Sequence, residues 1–415
     1  MIIVEIILAL LFGVLIGTLT GLTPGIHINL VAVVTLSSSP LLLQYTTPIV
    51  LSVFIIALSI THTFVDFLPS TFLGAPTADT AISVLPAHKL LLEGRDYEAV
   101  NLATRGSLIG LFAIILLTPL FLIAVKGAYS LIQIFIPYML ILSSLFLICR
   151  ETKARVWALI IFLMAGILGI GVLNLPTLKQ PLFPLFSGLF GTSMLLLSLK
   201  DKIKIPKQEI TKPKIQKKEL AKAISSSTFA STLCGFLPGM GSAQATIVAS
   251  SIFKKIKTET FLILVGAVGT MVMVVSFIAL YTIEKARNGS VAIISKLIDK
   301  ITLQNLILFL VISMITAVIA TVITLKLGKG FAKMITKVNY SKLCLGIILL
   351  IILLTIIISG FLGLLVLVVS TFVGVIPPLI GIGRNHPMGS LIIPVRTLQN
   401  SQNDFLSQKF LIIIS

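Results

Sequence analysis

Residues 21–30, GLTPGIHINL, interrupt a long apolar run with groups that lipid cannot satisfy. Pro24 removes a helix donor, Gly25 loosens the backbone, and Thr23, His27 and Asn29 bring polar atoms. A helix that restarts after Pro24 and Gly25 presents free backbone N–H groups and the positive end of its dipole, a receptor for a carboxylate. A second set of groups follows in THTFVDFLPSTFLGAPTADT, residues 61–80. Asp66 and Asp79 are acids in a chain with only 14 of them. Thr77 and Thr80 flank Asp79 with hydroxyl oxygens of the kind Na⁺ accepts, and Pro69 and Pro76 keep nearby carbonyls out of helix bonding. An acid at membrane depth faces a cavity or a partner, so a bound Na⁺ or a carried proton is the chemistry these residues offer. Two blander accounts compete: Asp79 as the cap of a helix beginning near Ala81, and Asp66 as a solvated loop acid. HKLLLEGRDYEA, residues 88–99, reads as an exposed amphipathic segment without chemistry.

These groups sit in 415 residues of which 57% are hydrophobic and 11% charged, against roughly 25% charged in soluble domains. No Lys, Arg, Asp or Glu lies between Glu5 and Asp66, nor between Lys342 and Arg384. A crossing needs about 20 apolar residues, so the second stretch holds two crossings and the first two or more. Residues 106–125, 127–149 and 156–178 read as further spans. The expectation is an all-α, polytopic integral membrane protein of roughly 10 to 12 segments, its first apolar run a retained helix rather than a cleaved leader.

The net charge of +18 comes from Lys and Arg placed mostly between spans, which predicts cytoplasmic loops and contact with anionic lipid rather than nucleic acid. The densest run, residues 200–222, carries two prolines and no apolar face. It divides the chain into 1–199, a cytoplasmic linker at 200–222, and 223–415. Residues 150–155, 254–257 and 326–337 read as further cytoplasmic loops. Cys149, Cys234 and Cys344 are scattered, with neither a disulfide nor a metal-site pattern.

The opening motif has an echo. Thr18 to Gly25 (TLTGLTPG) aligns with Thr232 to Gly239 (TLCGFLPG), and small or polar residues follow both: His27 and Asn29 in the first, Gly241, Ser242 and Gln244 in the second. A second echo pairs Gly166 and Gly169 with Gly360 and Gly363, and Pro184 with Pro378. Repeated halves with Gly/Pro-interrupted segments at matching places mark the binding site of a transporter, because broken helices at membrane depth survive only where they line a cavity or are buried. The expected substrate site is therefore Gly21, Thr23, Pro24, Gly25, His27 and Asn29 with Pro238, Gly239, Gly241 and Ser242, and the expected coupling-ion site Asp66, Thr77, Asp79 and Thr80. The alternative is a pair of ordinary kinks. Two further polar clusters, Glu284, Lys285 and Arg287, and Arg384 with His386, read equally as ion pairs and interfacial anchors. The direction of the two halves relative to one another stays open.

The two Gly-x-x-Pro-Gly breaks, the FLGAPTADTA segment and the PPLIGIGRNH element together resemble the large membrane subunit of the tripartite tricarboxylate transporters, and most closely its stand-alone archaeal members. The likeness runs over nearly the whole chain. In that family Gly-x-x-Pro-Gly-x-Gly recurs; Gly235 to Gly241 fits it, whereas His27 stands where the first copy would have its last Gly. The resemblance implies secondary uptake of a di- or tricarboxylate across the cytoplasmic membrane, driven by Na⁺ or H⁺. It also implies a small membrane subunit and an extracytoplasmic binding protein as partners. No catalytic residues or cofactors are expected. His-Glu-x-x-His, Gly-x-Gly-Asp and a rhomboid-like Gly-x-Ser-Gly are missing from the sequence, which weakens the rival reading as an intramembrane enzyme; an ion channel is the other rival.

Overall fold

The structure, a computed structural model, describes residues 2–23, 28–73, 84–123, 145, 148–149, 154–178, 180–200, 206–211, 213, 215–236, 241–253, 256–335, 340–382, 386–390 and 393–394. Among them every regular element is a helix. Ile2–Leu22 (α1) stops at the Thr23-Pro24 interruption and Ile28–Ser37 (α2) restarts beyond it. The short Ser39–Leu42 (α3) leads to Pro48–Val65 (α4), where Pro48 occupies a first-turn position whose missing N–H leaves no bond unmade. α4 continues through a π-helical turn at Pro69–Leu73. Val84–Leu92 (α5), Asp96–Leu116 (α6) and Arg155–Leu173 (α7) follow. Leu182–Phe186 (α8) runs through a second π turn, Ser187–Thr192, into Ser193–Lys200 (α9). Beyond the basic segment come Lys217–Phe236 (α10), Ser242–Ser251 (α11), Thr258–Ile283 (α12), Gly289–Leu297 (α13), Leu303–Ile335 (α14) and Tyr340–Ile380 (α15).

Among the described residues seven helices are long and apolar enough to cross a membrane, so the protein is a multi-pass membrane protein. The span expected at 127–149 falls almost wholly outside the described residues. α10 begins at Lys217, so the last residues of the basic run are helical rather than linker.

α1 and α2 form a hairpin laid along α4. A methyl on Gly13 would meet Ala57 Cβ at 2.6 Å, one on Gly17 would meet Thr61 Cβ at 2.8 Å, and one on Gly21 would meet Val65 Cβ at 2.8 Å. These contacts advance together, so α1 and α4 run parallel. The chain must therefore return from the tip of α1 to its foot before α4 begins, and α2 with α3 makes that return. At the foot Thr46 Oγ1 donates to Glu5 Oε2 at 3.5 Å. The tip contact at Val65 lies ~26 Å along α4 from Pro48 at 1.5 Å per residue, with the π turn still to follow, so the break falls within the length of α4 and its extension.

The second half builds the same object. Thr260 Oγ1 donates to Glu219 Oε2 at 3.2 Å at the foot, Ser227 Oγ to the Leu264 carbonyl at 3.4 Å, and a methyl on Gly235 would meet Val275 Cγ1 at 2.5 Å at the tip. Glu5, Gly13 and Gly21 thus correspond to Glu219, Ser227 and Gly235 at one constant spacing along the sequence. α4 likewise corresponds to α12, with Phe54 matching Leu264 and Val65 matching Val275.

The two hairpins enter from opposite ends of the bundle. The end of α4 (Val65, Leu68, Phe72), the start of α6 (Tyr97, Val100) and the end of α14 (Ala332, Ile335) share one apolar cluster. Arg95, just before α6, bonds Glu259 in the first turn of α12 at 3.0 Å. α12 therefore starts where α4 ends, and the two matching helices point in opposite directions. α6 and α12 cross at closest range: a methyl on Gly106 would meet the Ile263 carbonyl carbon at 2.8 Å, and one on Gly266 the Ala103 carbonyl carbon at 2.8 Å. Ser107 Oγ donates to the Gly266 carbonyl at 3.0 Å and Thr270 Oγ1 to the Ser107 carbonyl at 2.9 Å, which fixes the crossing.

α15 is two helical legs joined at Gly360, whose φ of 73° and ψ of −170° only glycine adopts readily. Cys344, Ile347 and Ile351 of the first leg share an apolar cluster with Leu364 and Leu367 of the second. In a straight helix Ile351 and Leu367 would stand ~24 Å apart. This bend corrects the second sequence echo. Gly166 and Gly169 lie inside α7, where they admit residues 389–393, whereas Gly360 is a bend. The structural counterpart of Gly169 is Gly374. Methyls on the two would meet the Ser390 carbonyl carbon and the Leu189 carbonyl carbon, each at 2.7 Å.

Candidate functional site

The first break is approached by two buried helices. Thr20 and Gly21 of α1 are buried, and Thr23 caps back with its Oγ1 on the Leu19 carbonyl at 2.8 Å. Across from them α4 presents Thr61, His62 and Asp66, which are 0%, 3% and 2% exposed. These values rule out the account of Asp66 as a solvated loop acid. His62 and Asp66 are one turn apart on one face, as i and i+4 positions must be. His62 Nδ1 lies 3.0 Å from Thr20 Oγ1, and a methyl on Gly21 would meet the His62 carbonyl at 3.2 Å. Thr61 Oγ1 is buried without a hydrogen-bond partner among the described residues. Ser70 Oγ donates to the Asp66 carbonyl at 2.8 Å, which carries the chain into the π turn.

Of the remaining expected site residues, Gly241 and Ser242 stand at the start of α11, with Ser242 buried. Asn29 is in the first turn of α2. Pro24, Gly25, His27, Thr77, Asp79, Thr80, Pro238 and Gly239 lie outside the described residues. The second half does not reproduce the polar face of α4. The positions of Thr20, His62 and Asp66 are taken there by Cys234, Val272 and Ser276, and Ser276 Oγ turns back onto the Val272 carbonyl at 2.8 Å.

Two groups of residues join the site without a place among the sequence expectations. His62 is one, although its i to i+4 spacing to Asp66 is visible in HTFVD. The other is the segment 88–99, which is not an exposed face: it turns between α5 and α6, with Asp96 fully buried and Glu98 7% exposed. Arg95 bonds Glu98 at 2.8 Å, Glu259 at 3.0 Å and Glu93 at 3.2 Å. Glu98 first, and then Glu259, hold the guanidinium pKa above its already high ordinary value. Gly94, at φ 79°, makes the turn.

The basic segment docks on this same turn. Gln208 accepts from the Asp96 N–H at 3.0 Å and donates to the Leu91 carbonyl at 2.9 Å, while the Glu209 N–H donates to the Gly94 carbonyl at 2.8 Å. Elsewhere, Asn288 Oδ1 caps α13 by accepting from the Val291 N–H at 2.9 Å, so 281–290 is a turn between helices. His386 is buried in a short turn packed against α7, and Arg384 lies outside the described residues. Among the described residues no group of His, Cys, Asp and Glu is arranged to hold a metal ion.

Comparison with known proteins agrees with these features. The model of the tripartite tricarboxylate transporter TctA family matches residues 7–389. An uncharacterized protein of Methanocaldococcus jannaschii is 36% identical over 348 residues, which cover 81% of this chain and 84% of that protein. No solved structure matches. The match takes in both breaks, the 61–80 segment and both hairpins, and it is to a family of transport proteins rather than of enzymes: this chain belongs to the tripartite tricarboxylate transporter TctA family.

Proposed function

We propose that the protein is a secondary transporter that carries a small organic anion, a di- or tricarboxylate, across the cytoplasmic membrane together with Na⁺ or H⁺. The observation that carries this reading is the pair of matched hairpins. Each has the same foot, middle and tip contacts, and they enter the bundle from opposite ends. Residues 1–199 and 223–415 are then inverted repeats joined by a cytoplasmic linker. In transporters so built, substrate and coupling ion bind between the repeats at the interrupted helices. The proposed substrate residues are Gly21, Thr23, Pro24, Gly25, His27 and Asn29 of the first break with Pro238, Gly239, Gly241 and Ser242 of the second. Asp66, Thr77, Asp79 and Thr80 are the proposed coupling-ion residues, and the burial of Asp66 supports its place among them.

With the basic linker cytoplasmic, the end of α14 and the start of α10 lie on the cytoplasmic side and the foot of α1 on the outside. A small membrane subunit and an extracytoplasmic binding protein are proposed partners. The test is counterflow in proteoliposomes with radiolabelled citrate, succinate and fumarate. Saturable uptake against a trans load of the same anion supports the reading. Flux that never saturates supports a channel, and absence of counterflow with every carboxylate refutes the proposal.

A further inference from the structure

We infer that His62 is the proton-carrying residue of the first hairpin site, which makes H⁺ the coupling ion; this rests on the transport reading above. The hydrogen bonds around the ring decide its tautomer. Thr20 has one hydroxyl proton, and it is donated to the Gly17 carbonyl at 3.2 Å. In the 3.0 Å contact with His62 Nδ1, Thr20 Oγ1 is therefore the acceptor and Nδ1–H the donor. The proton taken up on charging then goes to Nε2, while Nδ1–H stays anchored. A histidine fixed by one nitrogen and titrating on the other is the arrangement a proton shuttle needs.

The surroundings leave the carried charge to Asp66 and the substrate. Of the elements packed on α4, α1 brings only Glu5, at its foot, and α2 has no ionisable residue. α12 brings Glu259 and Tyr281 near its two ends and α13 Lys296, which is exposed. α14 brings Lys326, Lys329 and Lys333, all exposed. Asp66, one turn along, is the carboxylate nearest in sequence to the ring. The second half, with Cys234, Val272 and Ser276 in the matching places, has no ionising equivalent beyond a buried thiol. One proton per cycle follows from one such residue.

The sign is fixed by linkage. An anion beside the site favours the charged imidazolium, so anion binding draws a proton in. By reciprocity anion affinity is highest at low pH and falls as pH rises through the His62 pKa. One proton per anion limits the fall to tenfold per pH unit.

The experiment uses proteoliposomes loaded with a pH-sensitive dye. Radiolabelled fumarate and citrate are added between pH 5.5 and 8.5, and protein-free liposomes correct for protons carried by the acids themselves. Wild type should take up the anion and acidify the lumen together, with uptake falling up to tenfold per pH unit. His62→Asn keeps a donor for Thr20 and cannot titrate; it should still exchange anion for anion, with no proton flux and a flat pH profile. His62→Gln serves if the Asn variant fails to fold. A variant that exchanges anion and retains the wild-type pH profile overturns the inference. Wild type that transports in proportion to Na⁺ with no proton flux overturns it alone, leaving the transport reading intact. Wild type that moves neither anion nor proton overturns both.

Discussion

The α6–α12 crossing sets up a comparison between two glycines on one helix. A methyl on Gly266 would stand 2.8 Å from the Ala103 carbonyl carbon and 3.0 Å from its Cα, and closer still to its oxygen. Ordinary contact starts at 3.4 Å, so the helices must part by more than 0.6 Å (3.4 − 2.8), and backbone cannot swing aside as a side chain can. Overpacking of this kind costs about 1–3 kcal/mol. Parting the helices also stretches the Ser107–Gly266 and Thr270–Ser107 hydrogen bonds, each worth roughly 0.6 kcal/mol inside a membrane protein. Gly266→Ala should therefore destabilise the protein by about 2–4 kcal/mol. Gly269, less than a turn further along α12, has nothing within 4 Å of where an added methyl would sit. Gly269→Ala should be neutral or stabilise by up to about 1 kcal/mol through helix propensity. Unfolding of the purified protein by SDS titration, followed by circular dichroism, reads both. Equal midpoints for the two variants would refute the claim that carbonyl contact at this crossing holds the halves together.

Gly360→Ala should cost about 1–3 kcal/mol by backbone strain alone, since nothing lies within 4 Å of the added methyl, whereas Gly171→Ala, equally unobstructed and inside α7, should not destabilise; thermal melts compare them. Gln208→Ala removes the bonds to Leu91 and Asp96, so trypsin should cut at Lys207 several-fold faster at a concentration that leaves the helices intact; an unchanged rate would mean the segment is held by other contacts. Asp79→Asn separates the coupling and capping accounts: a cap tolerates Asn, while a coupling residue loses gradient-driven accumulation in proteoliposomes although exchange persists. Asp66→Asn should lose accumulation in the same assay.

Composition and charge-free stretches make the membrane class and the helical fold legible, because lipid admits no other open element with satisfied backbone. The TLTGLTPG/TLCGFLPG echo locates both hairpins, since glycine and proline act locally and leave their mark in the residues themselves. The GILG/GFLG echo at 166 and 360 misleads, because glycine is used in two unrelated ways: Gly169 for close approach and Gly360 for a left-handed backbone. The direction of the halves is not legible. It depends on which helix ends meet, and Arg95 with Glu259 are far apart in sequence. The burial of Asp96 and Glu98 is hidden for the same reason. Their shelter comes from Gln208 and Glu259, so a charged segment that looks solvated on its own is enclosed by residues made much later.

The glycine edge of α1 also bears on how the chain is made. α1 leaves the ribosome before residues 54–65, the surface its glycines fit, have been synthesised. It can wait, because its remaining surface is apolar and it carries no charge after Glu5. Its counterpart α10 has no such freedom. It carries Ser225, Ser226, Ser227, Thr228, Ser231 and Thr232 and is not among the helices apolar enough to cross alone. α10 must stay at the membrane surface or within the translocon until α12, buried for most of its length, arrives to cover those hydroxyls. The two hairpins share a shape but not an order of assembly: the first inserts as it emerges, and the second enters with its partner helix as a unit.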